Sequence, residues 1–328
     1  MGYSEEFAFL VVRRAFLIYN PASGSKRERR VAQVARAADA LRAAGVQVES
    51  CATTDSGSAI RQTQQAVTQG FDTLIACGGD GTVNEVLNGL MLVDPGPGPG
   101  IALGVIPLGS GNLLATDLGL PLDTQAAARA LLAYQPRELH PGAISYRTKS
   151  GTETRWFIVV AGVGADAELM YRTSVSGAKN RYGINAYFLE MARMTCRRRF
   201  PMLQVEWRTE TGDYRSEQVS LVMALRVARL PWILQRVRLG SALERNDYRL
   251  MLFKTDRVLR FLSFFASVAS GRNWNVPGVE LAFSTWLRCS PIAPGDQNPI
   301  HCEADGELLG TLPAEIGIEP RTFRLLMP

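Results

Sequence analysis

Apolar residues in the first part of the chain alternate between short continuous runs and helical spacing. The strand-like runs lie at residues 15–19, 46–52, 71–77 and 101–106. Between the first two runs, Val31, Val34 and Leu41 recur at helical spacing, and residues 58–68 follow a similar pattern. Strand-like runs that alternate with helical segments predict a parallel sheet with helices on both faces.

The pattern changes after about residue 140. Two pairs of strand-like runs are each separated by turn residues: 143–147 and 155–161 around 149–152, and 203–209 and 217–225 around 211–213. Such pairs predict β-hairpins, and residues 185–194 between them predict a helix. We therefore expect two domains, 1–140 and 141–328, with a mainly antiparallel second domain. The last residues can return to the first domain.

Composition narrows the class of protein. The chain has 328 residues, a formal charge of +5, five cysteines and two histidines. No cysteine pair has CxxC spacing, so we expect a reduced, cytoplasmic chain without a zinc cage. No stretch of 18 uninterrupted apolar residues predicts a membrane-spanning helix. The mild positive charge permits an anionic partner such as a nucleotide or an acidic lipid, and we expect no nucleic-acid partner.

The sequence CGGDGTVNEVLNGL at residues 77–90 places glycines and a carboxylate between an apolar run and a helix. Thr82 and Glu85 have the spacing of a capping box, which predicts a helix from Val83. A glycine-rich turn into a helix directs backbone N–H groups at one point, where a phosphate fits. Asp80 would repel phosphate, so its carboxylate indicates Mg²⁺. The alternative is a tight turn with no ligand.

Two further polar loops follow strand-like runs. NPASGSK at residues 20–26 follows the first run, and PLGSGN at 107–112 follows the fourth. Ligands of open parallel sheets bind beyond the carboxyl ends of the strands. Three such loops predict a nucleotide pocket, although the chain has neither GxxxxGK[ST] nor a complete GxGxxG.

NPASG, GGDGTVNE and PLGSGN, in this order and spacing, resemble the diacylglycerol kinase catalytic family, which includes bacterial lipid kinases and the sphingosine and ceramide kinases. Residues 161–167, AGVGADA, are similar to the family's GxGxDA segment, and residues 304–307, ADGE, to its C-terminal DGE. GGDGT alone is shared with NAD kinases, so the combination of motifs supplies the specificity.

The resemblance implies an α/β fold with an N-terminal three-layer, parallel-sheet nucleotide-binding domain and a β-rich C-terminal lipid-substrate domain. It implies ATP bound in the cleft and Mg²⁺-dependent transfer of the γ-phosphate to a lipid alcohol. Diacylglycerol, a sphingoid base or a related lipid would be the acceptor, which places the chain in lipid metabolism and phospholipid biosynthesis.

The resemblance also assigns roles to individual residues. The expected phosphate-binding residues are Gly78, Gly79, Asp80, Gly81, Thr82 and Asn84. The expected nucleotide site is completed by Asn20, Ser23, Thr53, Ser110 and Asn112. Asp80 would hold Mg²⁺, Asp305 would be the general base, and Glu307 would belong to the same catalytic turn. His301, with no nucleophile motif near it, is expected to be structural.

The chain departs from the family pattern at two places. Leu113 follows Asn112 where many bacterial members carry Asp, and Asn246 and Asp247 replace the Asp-Gly pair that binds a structural Mg²⁺ in some bacterial enzymes. In residues 226–238, arginines bracket LPWIL around Trp232. This segment predicts either a dock on acidic membranes at the inner membrane face or a core strand pair with solvated arginines.

Two alternative functions remain at this stage. One is an NAD-kinase-like enzyme that acts on a soluble dinucleotide. The other is a nucleotide- or lipid-binding protein without catalysis. The apolar stretch at residues 261–265 fits either a core helix or an acyl-chain cleft.

Overall fold

The structure is a computed structural model in which the chain divides into two compact units. The first unit contains residues 1–139 and 322–328, and the second contains residues 140–321. The structure describes residues 12–21, 27–93, 100–175, 200–228, 243–269, 277–293 and 299–328.

The first unit alternates strands and helices, as the hydrophobic pattern predicts. Its elements are β1 (Arg14–Tyr19), α1 (Arg27–Arg42), β2 (Gln47–Ala52), α2 (Ser58–Thr68), β3 (Thr73–Gly78), α3 (Asp80–Met91), β4 (Ala102–Pro107), α4 (Leu113–Leu118), α5 (Thr124–Leu131), β5 (Gln135–Leu139) and β17 (Phe323–Met327). Every residue of β3 and β4 is buried, which fits central strands covered on both faces.

The six strands form one sheet in the order β2-β1-β3-β4-β17-β5. Strands β1 to β4 and β17 pair in parallel, whereas β5 pairs antiparallel to β17. The strand order reverses between β1 and β3, and this reversal is the point where open α/β sheets bind ligands. The loops that follow β1 and β3 therefore begin at the expected binding edge.

The helices of the first unit pack in two pairs, α1 with α5 and α2 with α3. Apolar side chains of α1 and α5, including Leu41 and Leu131, form one core with Leu17, Ile75 and Ile106 of the strands. In the other pair, a Cβ at Gly89 would lie 2.5 Å from the Cβ of Thr63. Only glycine at this position lets α2 and α3 approach so closely.

The second unit is a large antiparallel sheet with two described helices. Its elements are β6 (Gly142–Thr148), β7 (Gly151–Phe157), β8 (Val160–Gly164), α6 (Ala165–Val175), β9 (Leu203–Arg208), β10 (Tyr214–Val219), β11 (Leu221–Leu225), β12 (Tyr248–Phe253), α7 (Val258–Ala269), β13 (Val279–Ser284), β14 (Trp286–Pro291), β15 (His301–Ala304) and β16 (Glu307–Ile318). The main path is β10-β9-β14-β16-β15-β8-β11-β12-β13, with β6 paired to β16 and β7. The predicted fold class, a parallel-sheet domain followed by an antiparallel β-rich part, is confirmed.

Two predicted strands of the second unit are each divided in two. The run at 155–161 breaks between β7 and β8, where the N–H groups of Ile158 and Val159 bond to a side chain instead of a strand. The run at 217–225 breaks at Ser220, whose hydroxyl donates to the carbonyl of Thr255. Before this break, β10 pairs with β9. After it, β11 pairs with β8 and β12.

The apolar interior of the second unit is continuous through its sheet. It includes Phe157, Trp207 and Tyr248, each with 1% or less of its surface exposed. None of the described helices is long and apolar enough to cross a lipid bilayer. The helix predicted at 185–194 and most of the arginine-flanked segment at 226–238 lie outside the described residues.

Candidate functional site

Two of the glycine-rich loops of the first unit lie directly against each other. A Cβ at Gly109, in the loop after β4, would be 2.4 Å from the Cα of Gly79, in the loop after β3. A Cβ at Gly79 would be 3.2 Å from the Cα of Gly109. Real Cβ atoms do not tolerate the shorter distance, so glycine at residue 109 is required for the two backbones to meet.

Asp80 joins the same two loops through its carboxylate. One carboxylate oxygen accepts the N–H of Leu113 at 3.0 Å, and the other accepts the N–H of Leu114 at 3.1 Å. These N–H groups belong to the first turn of α4, so Asp80 of α3 caps a helix that begins 33 residues later. Burial raises the pKa of Asp80, and bonds from the backbone N–H groups of Leu113, Leu114, Asp80 itself and Asn112 offset part of that increase.

The start of α3 differs from the prediction. The helix begins at Asp80 with Gly79 as its N-cap and has no side-chain cap, so the predicted start at Val83 and the Thr82–Glu85 capping box are wrong. Glu85 instead accepts the N–H groups of Gly57 and Ala59, both at 3.1 Å, at the start of α2. The capping-box spacing is local, whereas the observed bonds join residues at least 26 positions apart.

The loop after β4 is closed by its own asparagine. The amide oxygen of Asn112 accepts the N–H of Gly109, and its amide nitrogen donates to the Gly109 carbonyl, both at 2.9 Å. Asn112 has φ +50°, a left-handed conformation that asparagine tolerates better than most residues. Ser110, between these two residues, is exposed.

The other expected nucleotide-site residues occupy different environments. Asn84 is fully buried, and its side-chain oxygen accepts a hydrogen bond from Asn88 at 3.1 Å. Thr53 and Asn20 are half-buried beyond the ends of β2 and β1, and the N–H of Thr53 donates to the carbonyl of Tyr19. Ser23 lies outside the described residues. The structure thus places Asn84 on the buried face of α3.

Asp305 of the second unit is held by three backbone N–H groups. One oxygen accepts from Ile158 at 2.9 Å, and the other accepts from Val159 at 2.8 Å and Val160 at 3.0 Å. Its residue surface is 2% exposed. With Gly306 it forms a two-residue turn between β15 and β16, in which both residues have positive φ. The three N–H bonds stabilise the negative charge of this carboxylate.

Glu307 is fixed by an ion pair that the sequence does not reveal. Its Oε2 lies 2.6 Å from Nη2 of Arg155 on β7, and both side chains are largely buried. His301, expected to be structural, stacks on Tyr171 with ring centroids 4.2 Å apart. Burial lowers the pKa of His301, and its Nε2 lies 3.6 Å from Glu168.

The described residues contain no cluster of side chains that could bind a metal ion without other ligands. Within the described ranges, no three His, Cys, Asp or Glu side chains come together in a metal-binding group. Asp247 pairs with Arg245, whose Nε lies 3.0 Å from both carboxylate oxygens.

Replacing Gly109 by alanine tests the contact between the two loops. We expect Gly109→Ala to reduce the free energy of unfolding by about 1–3 kcal/mol, because its Cβ overlaps the backbone of Gly79. Gly111→Ala is the matched control, since its Cβ would be 3.4 Å from the nearest atom, an oxygen of Asp80. Chemical denaturation of both variants measures the difference, and equal stability would contradict the contact.

Replacing Glu85 by alanine tests the bond between α3 and α2. We expect Glu85→Ala to reduce the free energy of unfolding by about 1–2 kcal/mol, because two N–H groups lose their acceptor. Glu49→Ala, at an exposed glutamate of β2, should have little effect. Hydrogen exchange at Gly57 and Ala59 should accelerate only in Glu85→Ala; unchanged exchange would refute this role.

Comparison with known proteins agrees with this architecture. The profile of the diacylglycerol kinase catalytic domain matches residues 14–144. A diacylglycerol kinase of Bacillus subtilis (strain 168) is 28% identical over 318 residues, covering 97% of each chain. One of Staphylococcus aureus (strain bovine RF122 / ET3-1) is 31% identical over 302 residues, covering 92% of this chain and 88% of the relative.

The solved structure of a diacylglycerol kinase from Bacillus anthracis str. Sterne superposes with a TM-score of 0.68, covering 97% of this chain and 98% of that one. At 18% identity this similarity supports the fold alone. The sequence relationship extends over almost the whole chain and includes both units. The chain belongs to the diacylglycerol kinase family.

Proposed function

We propose that this kinase transfers the γ-phosphoryl group of ATP to a hydroxyl group of diacylglycerol, a sphingoid base or a related lipid. The observation that carries the proposal is the edge of the first unit's sheet. There, at the reversal of strand order, the loops after β3 and β4 are packed together at the start of α3. Family membership supports phosphoryl transfer as the reaction of this edge.

The phosphates of ATP would bind at the start of α3. No side chain caps this helix, and the N–H groups of Thr82 and Val83 donate to the carbonyl of Gly79. The N–H groups that precede them, such as that of Gly81, would therefore be the donors for a ligand. The positive end of the helix dipole favours the same negative groups. The phosphates would be surrounded by Gly78, Gly79, Gly81 and Thr82. Asn84, on the buried face of α3, would support this turn from the interior.

The remaining nucleotide contacts would come from the neighbouring loops. Asn20 and Thr53 follow β1 and β2, and Ser110 lies exposed in the loop that Asn112 closes. We place the ribose and base near these side chains, together with Ser23. The closed loop keeps Ser110 in a fixed position, so its hydroxyl would not have to be ordered when the nucleotide binds.

The donor set fits Mg²⁺ through Asp80. The carboxylate is an oxygen ligand of the kind that Mg²⁺ prefers, and the ion or its water shell would bind beside the backbone N–H groups that already bond to it. Protein Mg²⁺ sites in kinases use one or two carboxylates, with substrate phosphates and waters as the other ligands, so a larger protein cluster is not required. When bound, Mg²⁺ would neutralise negative charge that develops on the phosphates.

Asp305 would accept the proton of the lipid hydroxyl. Phosphoryl transfer needs the hydroxyl in line with the γ-phosphate and a carboxylate that takes its proton late in the reaction. The N–H groups of Ile158, Val159 and Val160 hold the Asp305 carboxylate in one orientation. Glu307, fixed by Arg155, would line the same turn and orient the hydroxyl.

We also propose that the enzyme works at the inner face of the cytoplasmic membrane, where its lipid substrate resides. Residues 229–238, with Trp232 among aliphatic side chains and arginines, would dock on acidic lipids. Arg226 is not part of this surface, because it is 1% exposed and donates to the carbonyl of Leu243. Sedimentation with vesicles that contain anionic lipid tests this docking by comparing Trp232→Ala and Arg236→Glu with the unsubstituted protein. Unchanged sedimentation would assign the segment to the fold instead.

Transfer of labelled γ-phosphate tests the function directly. The protein is incubated with labelled ATP and Mg²⁺ and, in separate reactions, with dioleoylglycerol, sphingosine, a total lipid extract or NAD. We expect label in a lipid product. Label in NAD would favour the NAD-kinase-like alternative, and tight ATP binding without any labelled product would favour a binding protein. Asp80→Asn should raise the Mg²⁺ concentration needed for half-maximal transfer.

Replacing Asp305 by asparagine tests the proton acceptor. We expect Asp305→Asn to reduce kcat by roughly 100-fold or more, because an amide cannot accept the hydroxyl proton. ATP should still bind, since the proposed phosphate site lies in the other unit. Calorimetric titration with ATP provides that control, and retained kcat would remove Asp305 from the role.

A further inference from the structure

Glu303 is a buried carboxyl group to which the proposed reaction gives no role. It lies on β15, two residues before Asp305, and its surface is 2% exposed. Its Oε2 accepts the N–H of Gly306 at 3.1 Å, so the side chain bonds to the same turn that presents Asp305. Glu303 therefore connects the strand interior to the proposed catalytic turn.

The second oxygen of Glu303 is buried and has no hydrogen-bond partner among the described residues. This oxygen, Oε1, lies against Gly162 on the paired strand β8, where a Cβ would be only 2.7 Å away. Glycine at residue 162 leaves the space that this oxygen occupies. An ionised carboxylate with one unpaired oxygen is costly in such an environment, whereas a protonated carboxyl group is tolerated.

Asp166 contributes a second carboxyl group to this region. It is the second residue of α6, which directly follows β8. Burial raises the pKa of Asp166 to about 6, and the charge of Asp166 is, after burial, the largest cause that raises the pKa of Glu303 well above its usual range. The charge of Asp305 acts on Glu303 in the same direction.

The other titratable groups around Glu303 do not provide a compensating positive charge. Among the described residues, the charges that raise its pKa are those of Asp166 and Asp305, both negative. Glu307 pairs with Arg155, Glu168 pairs with Arg172 and lies near His301, and Cys302 is a buried thiol. The positive charge of the buried Arg226 acts on Tyr248, Asp247 and Asp305. A proton is the remaining means of neutralising the pair.

We propose that Glu303 and Asp166 share one proton at neutral pH and that Glu303, as a neutral acid, is a positioning residue for Asp305. Its carbonyl oxygen holds the N–H of Gly306 and fixes the turn. Its neutral state keeps a further negative charge away from Asp305. The positioning role rests on the proposed function of Asp305, whereas the shared proton does not.

The protonation of Glu303 can be tested by spectroscopy, without measuring turnover. Infrared spectra at neutral pH should contain the absorption of a protonated carboxyl group. That absorption should disappear in Glu303→Gln and remain in Glu206→Gln, which changes an exposed glutamate of β9 in the same sheet. A spectrum of Glu303→Gln that keeps the full absorption would overturn the proposal.

The pH dependence of stability gives a second, independent measurement. A native pKa above the unfolded value means that the folded state binds more protons between those two values. Stability therefore falls as pH rises from about 4 through the native pKa. Relative to the unsubstituted protein, Glu303→Gln should gain in unfolding temperature between pH 5 and pH 8. A constant difference over this range would contradict the shared proton.

Positioning is tested by comparing two neutral replacements during transfer to dioleoylglycerol in detergent micelles. Glu303→Leu removes the acceptor for Gly306 and should reduce kcat by about 10-fold or more, with the KM for ATP unchanged. Glu303→Gln keeps an acceptor and should restore kcat to within about 3-fold. A loss in Glu303→Gln as large as in Glu303→Leu would show that the charge is required and would overturn the neutral-acid role.

These measurements separate failure of this inference from failure of the proposed function. If Asp305→Asn retained its turnover while the infrared band still depended on Glu303, the general-base role would be wrong and the shared proton would remain. If the band were absent while Asp305→Asn was inactive, Asp305 would keep its role and the shared proton would be wrong.

Discussion

The proposed binding edge of the first unit depends on two carboxylates of α3 that bond to the starts of other helices. Asp80 accepts two N–H groups of α4, and Glu85 accepts two N–H groups at the start of α2. Each carboxylate meets the positive end of a helix dipole, so the bonds are charge-assisted. Through them, α3 fixes the loops after β2 and β4 relative to the loop after β3.

This arrangement explains why an acidic motif occurs at a site proposed to bind phosphate. Negative side chains at a helix start would repel phosphate if they pointed at it. Here the charges of Asp80 and Glu85 are directed to neighbouring backbones, and the first-turn N–H groups of α3 are left without a side-chain cap. In this interpretation the motif builds the edge and also leaves donors for the nucleotide.

The sequence predicted the first unit well because its signals are local. Apolar runs and helical spacing determine strands and helices, and their alternation determines a parallel sheet. The capping box at Thr82 and Glu85 failed because Glu85 bonds to residues that are distant in sequence. The strands predicted at 155–161 and 217–225 are each interrupted where they meet residues distant in sequence: Asp305 accepts the N–H groups of Ile158 and Val159, and the hydroxyl of Ser220 donates to the carbonyl of Thr255. Arg155 had no sequence signal, because a lone arginine on a strand is ordinary.

The second unit places two carboxyl groups, only two residues apart, in opposite environments. Asp305 receives three backbone N–H bonds, which stabilise an anion. Glu303 receives one bond and has an unpaired oxygen and a like charge nearby, which favour a neutral acid. Groups whose protonation is separated in this way are typical of acid and base assignments in active sites. The separation arises because β15 turns at Asp305, so that Asp305 faces the break between β7 and β8 while Glu303 remains over Gly162.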